Sequence, residues 1–168
     1  MKKYLILNGA NINLLGMREK CYGTVTLPEI EEKLKSMADD AGAELEFYQS
    51  NHEGDLIDKL QETRGKVDGV VFNPGGYTFT SVSLRDAITA CNHRVIEVHL
   101  TNLSAREEFR HNSLISDVSI GQVNGLGADV YYLALFSFFF GLCGGGGRLT
   151  SLNCPYCTTL RSDSQAFS

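Results

Sequence analysis

Two residues in the stretch VIEVHLTN, Val95 to Asn102, have side chains suited to acid–base chemistry. Hydrophobic residues surround Glu97 and His99 in a pattern typical of a buried strand. Because a strand repeats every two residues, these two side chains project to the same face. A carboxylate beside an imidazole fixes the tautomer of the ring and raises its basicity. The pattern predicts that His99 is a catalytic acid oriented by Glu97. A core histidine with satisfied hydrogen bonds is the alternative, and it explains the strand-end position less well.

A second pair of this kind follows the first predicted strand. Arg18 and Tyr22 lie four residues apart in the segment LLGMREKCYGT. A nearby guanidinium favours the phenolate form of a tyrosine, and a tyrosinate is a general base. The same arginine could hold a developing oxyanion. Most pairs of these residue types lie on solvated surface, so the pair gains meaning only from its surroundings.

Alternating strand and helix signals must position these residues. Strands are predicted at 3–8, 44–49, 69–73, 95–100 and 118–125, and helices at 26–42, 53–65, 80–91 and 127–140. Thr26 and Glu29 form a capping box at the start of the first helix, and either Thr80 or Ser81 caps the third. The segment 106–113 is predicted to form a polar helical turn.

Five βα units in series imply a five-stranded parallel sheet with helices on both faces, in a flavodoxin-like, doubly wound α/β fold. Such sheets bind ligands at the carboxyl ends of their strands. Polar residues are concentrated there, in NGANIN, QSNHEGD, NPGGYTFTS and EVHLTN. Turn chemistry explains the Asn and Gly residues, but not a carboxylate and an imidazole inside a strand.

Composition excludes several classes of function. The chain has 168 residues, about one domain, and a net charge of −5 without a basic block, so a nucleic-acid surface is not expected. The longest apolar run, 130–143, is too short to span a bilayer. Five scattered cysteines favour a reducing, cytoplasmic location. We expect a domain over 1–141 and a disordered tail over 142–168, which is polar and rich in Gly.

Motifs for cofactors and metals are missing from the sequence. The loop NGANINLLG does not match GxGxxG, and no GxxxxGK[ST] motif occurs. The histidines show no tight metal-ligand spacing. We therefore expect no cofactor and no metal.

Several segments together resemble one family, the type II 3-dehydroquinate dehydratases, or type II dehydroquinases. The resemblance covers about residues 3–136. It rests on the segments LILNGANINLLGMRE, YGTVTL, QSNHEGDLID, NPGGYT, TSVSLRDAI, VIEVHLTNLSAREEFRHNS and GLGADVYYLAL.

The resemblance implies a reaction and a set of catalytic roles. Members of the family remove water from 3-dehydroquinate to give 3-dehydroshikimate, in the shikimate or quinate pathway, by anti elimination through an enolate without metal or cofactor. Tyr22 would be the base that removes a proton from the carbon beside the ketone, and Arg18, in a mobile lid, would favour the tyrosinate. Asn11 would hold a water against the enolate oxygen. His99, oriented by Glu97, would protonate the departing hydroxyl.

The resemblance also implies substrate contacts and an assembly. Asn73 is similar to the family's ligand for a substrate hydroxyl, and Leu100 and Thr101 to the pair that binds the substrate carboxylate. Arg110 resembles an arginine that also binds substrate. Asp86 resembles a residue that enters the site from a neighbouring subunit. The family assembles as trimers, usually four of them in a homododecamer.

The sequence departs from the family pattern in several places. Phe79 stands where the family has a histidine that contacts a substrate hydroxyl, and Ala10 replaces a common proline before Asn11. The lid between Arg18 and Tyr22 is one residue shorter than usual, and the chain leaves the family pattern after about Phe136. Two alternatives therefore stay open: a weakly active or non-catalytic relative with a damaged site, and a flavodoxin-like protein that binds an anion or nucleotide.

Overall fold

A computed structural model describes residues 1–17 and 20–141. Five parallel strands form one sheet: β1 Lys3–Asn8, β2 Glu44–Gln49, β3 Gly69–Asn73, β4 Val95–His99 and β5 Gly121–Asn124. Their order is β2-β1-β3-β4-β5. The predicted flavodoxin-like, doubly wound fold is confirmed. The chain changes direction across the sheet between β1 and β3, where ligands of such folds bind.

Four helices cover the two faces of this sheet. They are α1 Leu27–Ala41, α2 Glu53–Glu62, α3 Val82–Cys91 and α4 Asp129–Phe139. Alternate residues of β1 enter opposite cores: Tyr4 and Ile6 pack on the side of α1 and α4, whereas Leu5 and Leu7 pack on the side of α2 and α3. Both faces of the central strands are therefore buried, and only their ends can present polar groups.

The first helix begins as the sequence predicts. The Thr26 backbone N–H donates to Glu29 Oε2 at 2.7 Å, and the Glu29 N–H donates to Thr26 Oγ1 at 3.4 Å. Gly42 ends the helix in the left-handed conformation, with a φ of 64°. This helix follows the loop that carries Tyr22, so its fixed start also limits where that loop can lie.

Some boundaries differ from the prediction. The sequence predicts a strand over 118–125, but Ser116–Val118 forms a 3-10 turn and the strand begins at Gly121. Serine side chains favour the turn, because Ser113 Oγ accepts from the Ser116 N–H and Ser119 Oγ donates to the carbonyl of Ile115. The helical turn predicted over 106–113 is shorter than expected, a 3-10 turn at Glu108–Arg110, and another 3-10 turn, Leu103–Ala105, lies just before the predicted range.

Two predictions fall outside the described residues: the placement of Arg18 and the disordered tail over 142–168. Across the part of the chain that the structure describes, no helix is long and apolar enough to cross a membrane.

Candidate active site

A cavity of about 140 Å³ lies at the carboxyl ends of β1, β3 and β4. It brings together seven of the residues that the sequence singled out: Asn11, Tyr22, Asn73, His99, Leu100, Thr101 and Arg110. A larger cleft of about 620 Å³ lies at the opposite end of the sheet, between α1 and α4. We place the candidate site in the smaller cavity, because that is where the acid–base groups converge.

His99 and Glu97 form the pair expected from their spacing. His99 Nε2 lies 2.8 Å from Glu97 Oε1, and both side chains are buried. An ionised carboxylate can only accept hydrogen bonds, so Nε2 carries the hydrogen of this bond. The other ring nitrogen, Nδ1, is then the one that can gain and lose a proton at the cavity. Glu97 itself lies behind the cavity wall and orients the ring.

The carboxylate of Glu97 is completely enclosed by donors. Thr78 Oγ1 donates to Oε1 at 3.0 Å, Gln122 Nε2 donates to Oε2 at 2.9 Å, and Ser113 Oγ contacts both oxygens, at 2.8 and 3.0 Å. Burial alone raises the pKa of Glu97, but its hydrogen bond to His99, the charge of that ring and the hydroxyl donors outweigh burial and hold the pKa below its ordinary value. Glu97 is therefore a fixed negative charge behind His99.

Tyr22 meets an arginine other than the expected one. Arg106 Nη1 donates to Tyr22 Oη at 3.2 Å, and its guanidinium carbon lies 5.6 Å from the centroid of the Tyr22 ring. The same Nη1 donates to Thr101 Oγ1 at 3.2 Å. Arg106 thus joins the candidate base to the segment that follows β4. Arg18, the expected partner, lies outside the described residues.

The loop after β1 is held closely against the loop after β3. The Gly9 N–H donates to the carbonyl of Asn73 at 2.7 Å, and a Cβ at Gly9 would lie 2.2 Å from the carbonyl oxygen of Pro74. Asn11 has a left-handed backbone, with a φ of 67°, and its N–H donates to Asn51 Oδ1 at 2.9 Å. Asparagine tolerates this conformation better than most residues, so the loop can present Asn11 to the cavity.

Phe79, which stands in the place of the family histidine, lines the cavity. Its ring is stacked with that of His99, with centroids 6.3 Å apart and 23° between the planes. The guanidinium carbon of Arg110 lies 5.5 Å from the Phe79 ring. An apolar ring therefore lies next to both His99 and Arg110, at a position where the resemblance predicts a polar contact with substrate.

Charge makes the cavity suitable for an anion. Arg106 and Arg110 both line it, although the chain as a whole has a net charge of −5. Arg110 Nε also donates to Glu107 Oε2 at 2.9 Å, which fixes its orientation. An anionic substrate would be attracted to this edge of the sheet.

Asp86 is not brought to the cavity by its own chain. It lies exposed on α3, and it is not among the residues that line the cavity. In the residues described here, no cluster of three or more His, Cys, Asp or Glu side chains could hold a metal ion.

The sequence did not reveal Arg106, Thr78, Ser113 or Gln122 as site residues. Arg106 was visible only as one of two arginines in a polar segment, and nothing local links it to Tyr22, which is 84 residues away. The three donors to Glu97 come from separate loops and from β5, and they have residue types that are common in turns. Only the assembled sheet brings these side chains together.

Fold and cavity together define a flavodoxin-like α/β protein equipped for acid–base chemistry. The family model described as dehydroquinase class II matches residues 2–139. A 3-dehydroquinate dehydratase of Endomicrobium trichonymphae is 52% identical over 136 residues, which cover 80% of this chain and 95% of that protein. A catabolic 3-dehydroquinase of Aspergillus clavatus is 51% identical over 135 residues, covering 80% of this chain and 90% of that protein.

Solved structures agree with these relatives. The crystal structure of a type II dehydroquinase from Butyrivibrio crossotus matches with a TM-score of 0.79 and 42% sequence identity, covering 82% of this chain and 97% of that one. The chain therefore belongs to the class II dehydroquinase family. The predicted resemblance is confirmed, and so is the prediction that the chain is an enzyme.

Proposed function

We propose that the chain removes water from 3-dehydroquinate to give 3-dehydroshikimate, by anti elimination through an enolate. One observation carries this proposal: Tyr22 and His99 line the same cavity, and each has its own charged partner. An acid and a base can act on one substrate only if their surroundings keep their protonation states different. Here the guanidinium of Arg106 lies next to the candidate base, Tyr22, and the carboxylate of Glu97 lies next to the candidate acid, His99.

In the first step, Tyr22 as tyrosinate takes a proton from the carbon beside the ketone, and the electron pair of that C–H bond forms the enolate. Arg106 supports the phenolate by donating to its oxygen, and Arg18 is proposed to do the same from the lid. Asn11 would hold a water that donates to the enolate oxygen. Stabilising this developing charge is what lowers the barrier.

In the second step, the enolate collapses, the carbon–oxygen bond of the leaving hydroxyl breaks, and His99 supplies the proton that turns the hydroxyl into water. The proton comes from Nδ1, because Nε2 is held in a hydrogen bond to Glu97. Glu97 holds the ring in the orientation that this step requires through the same hydrogen bond. Both catalytic groups are restored when Tyr22 returns its proton and His99 takes up another.

Substrate binding is proposed to involve the residues around these groups. Leu100 and Thr101 would bind the substrate carboxylate, and Asn73 a substrate hydroxyl. The positive charge of Arg110 would favour the anion. Asp86 would reach a neighbouring subunit's cavity, which fits its exposed position on α3. On this basis we propose that the chain forms a trimer and that four trimers form a dodecamer. We also propose a cytoplasmic location and a role in the shikimate or quinate pathway.

The test is a direct assay of turnover. The purified chain is mixed with 3-dehydroquinate, and the enone absorbance of 3-dehydroshikimate is followed over time. Absorbance should rise with the wild-type chain, and the rise should be lost in Tyr22→Phe and in His99→Ala. Absence of turnover at high enzyme concentration would instead support a non-catalytic relative.

A further inference from the structure

A buried chain of three polar side chains lies behind the cavity. Asn8 and Asn73 end the neighbouring strands β1 and β3 and are directly paired in the sheet. Tyr131, from α4, bridges them: its hydroxyl lies 2.6 Å from Asn8 Oδ1 and 2.9 Å from Asn73 Nδ2. None of the three is more than 2% exposed. Of the three, Asn73 is the one that lines the cavity.

The direction of hydrogen bonding along this chain is fixed at one end. The backbone N–H of Gly75 donates to Asn73 Oδ1 at 3.2 Å. If the Asn73 amide rotated by half a turn, its NH₂ group would face this N–H, and two donors would oppose each other. Asn73 Nδ2 must therefore donate to the Tyr131 oxygen, and the Tyr131 hydroxyl hydrogen must go to Asn8. One Asn73 Nδ2 hydrogen and one Oδ1 lone pair stay free for a ligand.

Tyr131 is suited to this task and to no acid–base role. Burial, ahead of the hydrogen bond from Asn73, raises the pKa of Tyr131 far above its ordinary value, so its hydroxyl stays neutral. A neutral phenol offers both a hydrogen-bond donor and an acceptor on one oxygen. These are the two functions that the neighbouring amides require.

The chain of Asn8, Tyr131 and Asn73 lowers the stability of the folded state, so a stabilising role does not explain it. Within the described residues, Asn8 Nδ2 is the one buried side-chain nitrogen or oxygen that lacks a hydrogen-bond partner. Buried polar groups without partners are rare because they destabilise the folded state. An apolar trio at these positions would avoid that cost. Local choices that oppose stability are expected where a site must be held in place.

We propose that Tyr131 is a positioning residue that fixes the amide of Asn73, so that its free donor and acceptor meet a substrate hydroxyl in the cavity. This inference rests on the proposed function, because it takes Asn73 as a ligand of dehydroquinate. Tyr131 does not line the cavity, so its effect on binding must pass through Asn73.

The experiment is a double-mutant cycle with Tyr131→Phe and Asn73→Ala, read as the KM and kcat for dehydroquinate. Tyr131→Phe removes one oxygen and keeps the ring, so the amide of Asn73 keeps only its hydrogen bond from the Gly75 N–H and is held less firmly. We expect KM to rise about tenfold, which corresponds to about 1.4 kcal/mol of lost binding, with a smaller change in kcat. In the Asn73→Ala background the same substitution should change KM by less than about twofold, because coupled residues are not additive.

Tyr4→Phe is the matched control. Tyr4 is equally buried in the same core, but it lies at the other end of β1, beside the larger cleft. The substitution Tyr4→Phe should leave KM unchanged. If Tyr131→Phe leaves KM unchanged, or if its effect is equally large with and without Asn73, the proposal is overturned. If Tyr131→Phe does not fold, Asn8→Ala, which removes the acceptor of the Tyr131 hydroxyl, should raise KM in the same direction.

Side-chain NMR separates this proposal from the proposed function. The Asn73 amide hydrogen that is bonded to Tyr131 should exchange slowly with solvent in the wild-type chain and in Tyr4→Phe, and faster in Tyr131→Phe. This readout needs no turnover. A wild-type chain that does not convert dehydroquinate defeats the proposed function, whereas equal exchange rates in all three proteins defeat the positioning role.

Discussion

Arg106 donates to the hydroxyl of Tyr22 at 3.2 Å, and its guanidinium carbon lies 5.6 Å from the centre of the same ring. Arg106 follows β4, whereas Tyr22 precedes α1, so the contact joins two distant parts of the chain. The hydrogen bond to Tyr22 is the largest cause of the raised pKa of Arg106, so the guanidinium stays charged beside the phenolic oxygen. The candidate base is therefore supported by an arginine from the segment after β4, in addition to the support proposed for Arg18.

Replacing Arg106 with Gln should lower kcat by about 10- to 100-fold, the scale at which a charged hydrogen bond of about 1.5–3 kcal/mol is lost. The loss should fall on kcat more than on KM, because the cation is proposed to act on the proton-transfer step. Arg94→Gln, just before β4 and far from the cavity, is the control. An unchanged kcat would show that Arg106 only packs against Tyr22.

Tyr22→Phe and His99→Ala should each lower kcat by about 10²–10⁴-fold, the usual contribution of a positioned acid or base. Neither change removes a large part of a core, so circular dichroism and the melting temperature should show a folded protein. Near-normal turnover in Tyr22→Phe would mean that another group removes the proton.

Phe79→His should raise kcat/KM roughly tenfold, mainly through a lower KM, because an unpaired substrate hydroxyl costs about 1–3 kcal/mol. Phe109→His offers a matched control, since Phe109 also packs against Arg110, at 4.8 Å, but is 65% exposed and does not line the cavity. Only Phe79→His should raise kcat/KM. An equal response at both positions would assign the effect to Arg110 rather than to substrate contact.

Glu97→Gln should destabilise the protein by ~2 kcal/mol or more at pH 7, because an amide offers one acceptor oxygen where the carboxylate has two. The folded-state pKa of Glu97 is lowered, so its contribution is complete above the unfolded value of about 4.3 and disappears as the pH falls through the folded value. Urea unfolding of both proteins across this range should therefore show a difference that shrinks below about pH 4.

Glu62→Gln serves as the comparison for this measurement. Glu62 is an exposed carboxylate at the end of α2 whose partner is Lys59, and exposed pairs contribute little to stability. Its substitution should leave the unfolding curves nearly unchanged at every pH. A Glu97→Gln difference that persists undiminished at pH 3 would mean that the carboxylate is not the source of the effect.

The sequence predicted features whose causes are local, and it missed those created by the fold. Thr26 and Glu29 are three residues apart, so their capping box can be recognised without any knowledge of the rest of the chain. The pairing of Glu97 with His99 follows equally from the alternation of a single strand. In contrast, the Tyr22–Arg106 contact depends on where the loops after β1 and β4 meet, and no local pattern encodes that meeting. The resemblance supplied candidate residues there, but not this partner.

The closed ring of donors around Glu97 also governs how the enzyme resets between turnovers. A buried carboxylate that accepts from His99, Thr78, Ser113 and Gln122, and whose pKa is lowered, is a poor carrier of protons to the imidazole. If His99 is the acid, we expect it to be recharged from the cavity that it lines. Product bound in the cavity would then block this supply of protons. Product release from the cavity and protonation of the candidate acid should then follow one another. A solvent isotope effect on steady-state turnover should therefore accompany slow product release.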